Sequence, residues 1–234
     1  MATNHGVRGS NPLRCEVSMQ HLMIIKVFTA GPAETNTILI GCTKTRKAAI
    51  VDAPLGSSEL IVQALKKDSL IPQMILLTHS HWDHIADAAK LKKLFNIPIY
   101  IHPEDAENLE RPGSDRLPLY FPIEGIKTEN YLSDGQILPL GELKIEVIST
   151  PGHTPGGVCF WLRQQKILIS GDTLFKGTIG NLSFPTARPA LMWESLKKLA
   201  DLPPETRVFP GHGPETTIKD ESWIKEAKKM FEEF

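Results

Sequence analysis

Short apolar runs separated by turns begin after residue 22 and predict β-strands. Three of these runs are joined by tight connections: MIIKVF (23–28), TNTILIG (35–41) and KAAIVDAP (47–54). The period then changes, because apolar residues follow Ser57 and Ser58 at helical spacing until the break at Pro72. We therefore expect an amphipathic helix whose first turn is capped by the serines.

The run QMILL (73–77) is continuously apolar after Gln73 and predicts a strand that is buried on both faces. The segment THSHWDH (78–84) follows at the C-terminal end of this strand. A helix over 87–95 and a strand over 97–102 come next. The stretch 103–130 is rich in proline, glycine and charge, so it predicts an irregular or short helical excursion that borders a substrate cleft.

The second half of the chain has a similar layout. Four strand-like runs come first: ILPL (137–140), LKIEVIST (143–150), GVCFWL (157–162) and KILISG (166–171). A predicted helix over 190–202 and a short strand, RVFP (207–210), follow them. Trp223, Ile224, Ala227 and Phe231 then recur at helical spacing, which predicts one packing helix. This pattern favours an α/β sandwich of two packed sheets with helices outside.

Composition adds limits to this picture. The chain has 234 residues, 41% of them hydrophobic, which is enough for one sizeable core. Its net charge is −1, so no overall field would attract nucleic acid or an anionic membrane, and no apolar run is long enough to span a bilayer. Three widely separated cysteines and the lack of an export signal favour a cytoplasmic location.

The first 22 residues have neither periodicity nor an apolar stretch. We expect residues 1–22 to be a disordered extension or a cloning remnant, and residues 23–234 to form a single domain.

Potential metal ligands crowd the segment that follows the central strand. His79 and His81 lie two positions apart on an extended stretch, so both side chains project to the same side. Asp83 and His84 follow where the chain turns into a helix, and they can face the same cavity. One tetrahedral ion does not normally take four ligands from so short a loop, which favours two metal ions.

Three later segments have a common form, in which a strand ends and small residues turn the chain tightly. Each leaves one potential ligand at the tip of the turn: His153 in STPGHTPGG, Asp172 in LISGDTLF and His212 in VFPGHGP. Among the histidines after residue 22, only His102 lies outside these motifs. That concentration predicts a metal centre rather than scattered surface imidazoles.

The HxHxDH motif, followed by PGHT, GDTLF and PGHGP, resembles the metallo-β-lactamase superfamily. Within it, the chain is most similar to small, single-domain, glyoxalase II-like hydrolases of the hydroxyacylglutathione hydrolase type. The resemblance spans about residues 23–214 and implies an αββα four-layer sandwich, in which two mixed β-sheets pack face to face with helices outside. It also implies that one metal is held by His79, His81 and His153, a second by Asp83, His84 and His212, with Asp172 bridging both.

The implied cofactors are two divalent ions. Zinc is favoured, and iron or manganese is also compatible, because no thiolate fixes the choice. The implied activity is hydrolysis of a thioester, of hydroxyacylglutathione type, or of another small ester or lactone by a metal-bridging hydroxide. Asp83 and Asp172 are the expected catalytic residues, with Asp83 relaying a proton to the leaving group.

Some positions leave alternatives open. Asp52 is similar to the family aspartate that orients a ligand imidazole, although a strand-end turn cap is the other interpretation.

Two segments differ from the family pattern. Ile85-Ala86-Asp87 stands where the family usually has one or two glycines, and GNLSFP (180–185) replaces Gly-Arg-x-Asp-x-Pro. Asp87 is then either a carboxylate behind the ligands or an acidic residue in the first turn of a helix. Arg188 is a candidate replacement for the altered charge network.

Only about 20 residues follow His212, whereas classical glyoxalase II enzymes carry a helical C-terminal domain that helps to bind glutathione. A glutathione thioester is therefore one candidate among small-molecule substrates; neither nucleic acid nor a membrane is expected as a partner, and the oligomeric state is open. Three other functions are alternatives: a mononuclear iron persulfide dioxygenase, a phosphodiesterase or nuclease of the same superfamily, and a non-catalytic metal-binding protein.

Overall fold

The structure is a computed structural model that describes residues 22–232. Except for Leu22, the predicted extension over 1–22 lies outside the described residues. The first half of the described chain contributes five strands: β1 (Met23–Ala30), β2 (Thr35–Cys42), β3 (Lys47–Val51), β4 (Ile71–Leu76) and β5 (Ile99–Tyr100). The second half contributes six strands: β6 (Ile137–Leu140), β7 (Leu143–Ser149), β8 (Val158–Leu162), β9 (Ile167–Gly171), β10 (Arg207–Pro210) and β11 (Thr216–Thr217).

Six α-helices accompany the strands in the described chain: α1 (Ser57–Asp68), α2 (Trp82–Ile85), α3 (Ala88–Phe95), α4 (Ala106–Glu110), α5 (Pro189–Ala200) and α6 (Ala227–Glu232). The helix predicted over 87–95 begins at Ala88, and the single turn α2 precedes it. The predicted excursion over 103–130 is irregular apart from α4 and a 3-10 turn before it. Within 22–232, no helix combines the length and apolar character needed to cross a membrane.

The strands form two mixed sheets, as predicted. The first has the order β1-β2-β3-β4-β5, with antiparallel pairing as far as β3 and parallel pairing from β3 to β5. The second has the order β11-β10-β9-β8-β7-β6, in which only β9 and β10 are parallel. The parallel pairs end at the same edge, and β7 runs in the same direction as β9, so the loops after β3, β4, β7, β9 and β10 are available for a shared site.

Three apolar clusters show the order of the layers. Alternate residues of β2, such as Ile38 and Ile40, pack between the two sheets against Val147 and Phe160. The intervening Leu39 faces the other way, in a cluster with residues of α1 and α3. On the far side, the outward residues of β8 and β9 pack against α5 and the C-terminal segment. The layers are therefore helix, sheet, sheet, helix, and the predicted four-layer sandwich is confirmed.

The inter-sheet cluster should carry much of the stability, because its side chains are removed from water on both sides. We expect Ile145→Ala in β7, where the side chain is fully buried, to lower the free energy of unfolding by about 2–5 kcal/mol. Ile137→Ala in the neighbouring β6 is the matched control, because that side chain is 56% exposed, and it should cost less than about 1 kcal/mol. Urea denaturation of both variants measures the difference, and equal costs would contradict this assignment of the core.

Candidate metal centre

The seven side chains predicted to bind metal meet at one end of the sandwich, where strands of both sheets finish. Four loops supply them: His79, His81, Asp83 and His84 follow β4, His153 follows β7, Asp172 follows β9 and His212 follows β10. Main-chain hydrogen bonds hold the loops of the two sheets together. Thr78 O accepts from Val158 N at 2.9 Å, and Gly211 O accepts from Asn36 N at 2.7 Å.

The first group of potential ligands comprises His79, His81 and His153. One ligand atom from each lies within 4.8 Å of the other two, and all three side chains are buried. The Nε2 atom of each ring is buried and has no hydrogen-bond partner. A buried acceptor without a hydrogen bond destabilises the folded protein, so three such acceptors that converge on one point indicate a cation-binding site.

The second group comprises Asp83, His84 and His212, and its ligand atoms are equally close. His84 Nε2 lies 3.4 Å from Asp83 Oδ2 and 3.4 Å from His212 Nε2, while His212 Nε2 lies 3.2 Å from Asp83 Oδ2. Ligand atoms about 2.0–2.1 Å from a tetrahedral ion lie about 3.3–3.4 Å apart, so these separations suit such an ion.

Asp172 lies between the two groups and contacts both. Its Oδ2 atom is 3.4 Å from His153 Nε2 in the first group and 3.5 Å from His212 Nε2 in the second. Its Oδ1 atom is 3.4 Å from His84 Nε2. A carboxylate in this position can share its two oxygens between two cations.

In three of the imidazoles the ring nitrogen that faces away from the centre is hydrogen-bonded, which fixes the tautomer of each ring. Nδ1 of His84 donates to Asp52 Oδ2 at 2.9 Å, that of His153 to Asn181 O at 2.8 Å and that of His212 to Ala33 O at 3.1 Å. A neutral ring that donates through Nδ1 presents a lone pair at Nε2. The lone pairs of His84 and His212 then face each other at 3.4 Å, an arrangement that a cation between them stabilises.

Electrostatics differ between the two groups: burial lowers the pKa of the three imidazoles in the first, whereas burial is outweighed by the carboxylates in the second, which raise the pKa of His84 and His212. Burial, together with the neighbouring His84, lowers the pKa of His79 well below its usual value, and burial lowers the pKa of His81 to about 3. Burial alone would raise the pKa of Asp83, but His84 and His212 lower it below its usual value. Burial also opposes charge on His84, yet Asp83, Asp172 and Asp52 raise the pKa of this ring. The negative charge of the carboxylates therefore stabilises a cation at the point where the two groups meet.

Two glycines allow the backbone to pack directly against these ligands. A Cβ atom on Gly211 would lie 2.1 Å from Asp172 Oδ1 and 2.8 Å from His84 Cε1. A Cβ atom on Gly180 would lie 2.9 Å from the His153 ring. The glycine of PGHGP and the glycine of GNLSFP are therefore required by close approach to the centre.

Asp52 lies behind the ligands and contacts the His84 ring, as the first interpretation of this residue requires. Besides His84 Nδ1, its carboxylate accepts the N–H of Thr78 at 2.8 Å and the Thr78 hydroxyl at 2.8 Å. The Thr78 oxygen in turn lies 3.1 Å from His79 Nδ1 and accepts from it. Through these contacts Asp52 holds one imidazole of each group.

The other positions that the sequence left open lie away from the ligands. Asp87 immediately precedes α3 and accepts the Ser58 N–H of α1 at 3.0 Å, so it joins two helices and does not touch the centre. Arg188 pairs with Glu104 at 2.6 Å on the surface. His102 accepts the Glu104 N–H at 3.3 Å, as expected of an ordinary strand-end residue.

Sequence reasoning missed two residues at the start of β2 that support the centre. Thr35 donates its hydroxyl to Asp83 Oδ2 at 2.7 Å. Asn36 donates its amide to Pro210 O at 3.0 Å and to Gly213 O at 2.9 Å, so it holds the turn that carries His212. The letters TNT gave no signal for these roles, because they depend on contacts across the fold.

An open cavity of about 270 Å³ leads to the centre. Its floor includes members of both groups and Asp172, and its wall is largely apolar: Ala33, Trp82, Leu117, Phe175 and Phe184. Leu117 shows that the excursion over 103–130 does border the cleft. From the same segment, Tyr120 and Phe121 contact the Trp82 ring with centroid distances of 5.2 and 5.7 Å.

Comparison with known proteins agrees with this geometry. The hydroxyacylglutathione hydrolase GloC of Haemophilus influenzae is 32% identical over 208 residues, which cover 85% of this chain and 95% of that protein. The structure of the BLEG-1 B3 metallo-β-lactamase has a TM-score of 0.78 at 35% identity, over 85% of this chain and 96% of that one. The structure of TTHA1623 in a di-iron-bound form has a TM-score of 0.74 at 35% identity, over 84% of this chain and 96% of that one.

The family model for the metallo-β-lactamase superfamily matches residues 30–212. This range contains every predicted ligand and strands β2 to β10, and it leaves out β1 up to Thr29 and the short β11. This chain belongs to the metallo-β-lactamase superfamily.

Proposed function

We propose that this protein is a dinuclear metal-dependent hydrolase that cleaves a thioester, of hydroxyacylglutathione type, or another small ester or lactone. The observation that carries the proposal is the pair of ligand groups with Asp172 between them, at the floor of an open cavity. One group could hold a single ion, whereas two groups 3.4–3.5 Å from a common carboxylate supply ligands for two. The name of the Haemophilus influenzae relative supports the choice of substrate class.

In this proposal His79, His81 and His153 hold one ion, Asp83, His84 and His212 hold the other, and Asp172 is shared. Imidazole and carboxylate ligands suit zinc best and also accept iron or manganese, and the di-iron form of TTHA1623 keeps iron in consideration. When bound, a pair of such ions supplies a water of lowered pKa and polarises a substrate carbonyl.

The side chains of the chain itself position the reaction. The Asp83 carboxylate lies at the cavity, is ionised and is fixed by the Thr35 hydroxyl, so it can take a proton from the attacking water and pass it to the leaving thiolate or alkoxide. Asp172 stays ionised between the two groups, since its neighbours lower its pKa although burial opposes this. The apolar wall, with Trp82 and Phe184, suits the acyl or alkyl part of a small substrate and excludes bulk water.

The other functions fit less well. An enzyme with one iron would not need the second group, which is complete here. A nuclease would need cations for phosphate, and no lysine or arginine lines this cavity in the described part of the chain. A non-catalytic protein would not need an open cavity above its ligands.

Cys42 and Cys159 are free and buried, which supports a reducing, cytoplasmic location.

A substrate panel tests the proposed reaction. We expect the metal-loaded protein to hydrolyse S-lactoylglutathione, a simple thioester or a small lactone, because these offer a carbonyl to a metal-activated water. Removal of metal with a chelator should abolish turnover, and added zinc, iron or manganese should restore it. Turnover of bis-nitrophenyl phosphate alone would favour the nuclease branch, and formation of sulfite from glutathione persulfide would favour the dioxygenase.

The role of Asp52 provides a second test. In Asp52→Asn, an amide N–H can face His84 Nδ1, which favours the tautomer whose Nε2 carries the proton and cannot bind metal. We expect the affinity for one metal to fall about 10–100-fold. Competition with a chromophoric chelator measures this loss.

Asp87→Asn is the matched control, because it also removes a buried carboxylate that accepts a backbone N–H, but at a distance from the ligands. Its metal affinity should stay within about twofold of that of the unmodified protein. Equal losses in the two variants would show that the His84–Asp52 contact has no special role.

A further inference from the structure

Side chains hold the middle of the loop that carries His79 and His81. Ser80, between the two histidines, donates its N–H to Asp105 Oδ2 at 3.1 Å. Its carbonyl oxygen accepts from Asn108 Nδ2 at 2.6 Å. Both polar groups of this one peptide position are therefore fixed by a short segment that follows β5.

The same Asp105 carboxylate also holds the loop of the third imidazole. Its Oδ1 atom accepts the Gly156 N–H at 2.7 Å, three residues after His153. A Cβ atom on Gly156 would lie 2.7 Å from Asp105 Oδ1 and 2.8 Å from Asp105 Cγ, so only glycine permits this approach. One carboxylate thus joins the two loops that supply the first group.

Asp105 and Asn108 are themselves well fixed. Asp105 ends the 3-10 turn Pro103–Asp105 and is only 2% exposed, and Asn108 lies in the following helix, α4. The Asn108 side-chain oxygen accepts the Gly113 N–H at 2.9 Å, and its amide also donates to Asp115 Oδ2 at 2.9 Å. Burying a carboxylate is unfavourable unless hydrogen bonds compensate, and here both of its oxygens are used to fix ligand loops.

We propose that Asp105 and Asn108 are positioning residues that set the spacing of His79 and His81 relative to His153. This inference rests on the proposed function, because it assigns the first group to a metal. The two residues act through their hydrogen bonds to the backbone at Ser80 and Gly156. Shifts of about 1 Å in a supporting shell are enough to weaken a site of this kind.

Metal titration of the two groups tests this proposal. In Asp105→Ala, the N–H groups of Ser80 and Gly156 lose their acceptor, and the first group should lose its geometry. We expect one of two metal-binding steps to weaken about 10–100-fold while the other changes little. Asp105→Asn offers one acceptor oxygen in place of two and is the milder variant if the alanine variant does not fold. Asn108→Ala should weaken the same step.

Cobalt(II) provides a readout that does not depend on turnover. The visible spectrum of the cobalt-loaded protein reports ligand geometry, so the band of one site should shift in the Asp105 variants and stay unchanged in Asp87→Asn. In the zinc-loaded enzyme, kcat should fall more than KM rises, because positioning and not substrate binding is lost.

Failure of the proposed function and failure of the positioning role give different results. If the unmodified protein binds no metal, both proposals fail. If it binds one ion, the dinuclear function fails, and the positioning role stands only if Asp105→Ala weakens the binding of that ion. If the unmodified protein binds two ions and the Asp105 variants bind both within about twofold of its affinities, with an unchanged cobalt spectrum, the positioning role is overturned. Equal weakening of both steps would also overturn it, because that result indicates a general loss of structure.

Discussion

The structure depends on one electrostatic constraint, the convergence of ionised carboxylates and imidazole lone pairs on a small buried region. The Nε2 atoms of three histidines have no partner, and those of His84 and His212 face each other at 3.4 Å. Three buried acceptors without a donor are unfavourable, and so is the close approach of the other two rings unless positive charge lies between them. Divalent cations compensate this cost directly, so the residues that look unsatisfied are those expected to bind metal.

The fold makes this arrangement possible by ending strands of both sheets at one place. The apolar cluster between the sheets fixes the strands, and the strand ends then deliver ligands that are far apart in sequence. Around the ligands, a further set of side chains fixes the loops: Asp52 and Thr78 behind the imidazoles, Thr35 and Asn36 at the Asp83 and His212 loops, and Asp105 between the His79–His81 and His153 loops. The apolar cavity wall leaves the metal side as the polar face presented to a substrate.

Much of the fold could be predicted because its signals are local. The runs in β2, β3, β8 and β9 are apolar at successive positions, as strands covered on both faces must be, and α1 showed a clear change of period. The turns that carry the ligands could also be predicted, because each places a metal-binding side chain directly after a strand-like run, and the three later turns place it beside glycine. The single turn α2 and the two-residue strand β11 are too short to show a period.

The supporting residues could not be predicted for the opposite reason. Thr35 reaches Asp83 across 48 positions, Asn36 reaches Pro210 across 174, and Asp105 reaches Gly156 across 51. Nothing in their immediate neighbours distinguishes these residues from ordinary turn or strand-end polar residues. Their roles follow only from the packing of the two sheets.

The central claim, that two cations share Asp172, is tested most directly by counting bound metal. Elemental analysis after equilibrium dialysis should give two ions per chain for the unmodified protein and one for His212→Ala, which lacks a ligand of the second group only. Far-ultraviolet circular dichroism should show that the variant is folded. One ion per chain in both proteins, or two in both, would contradict the account.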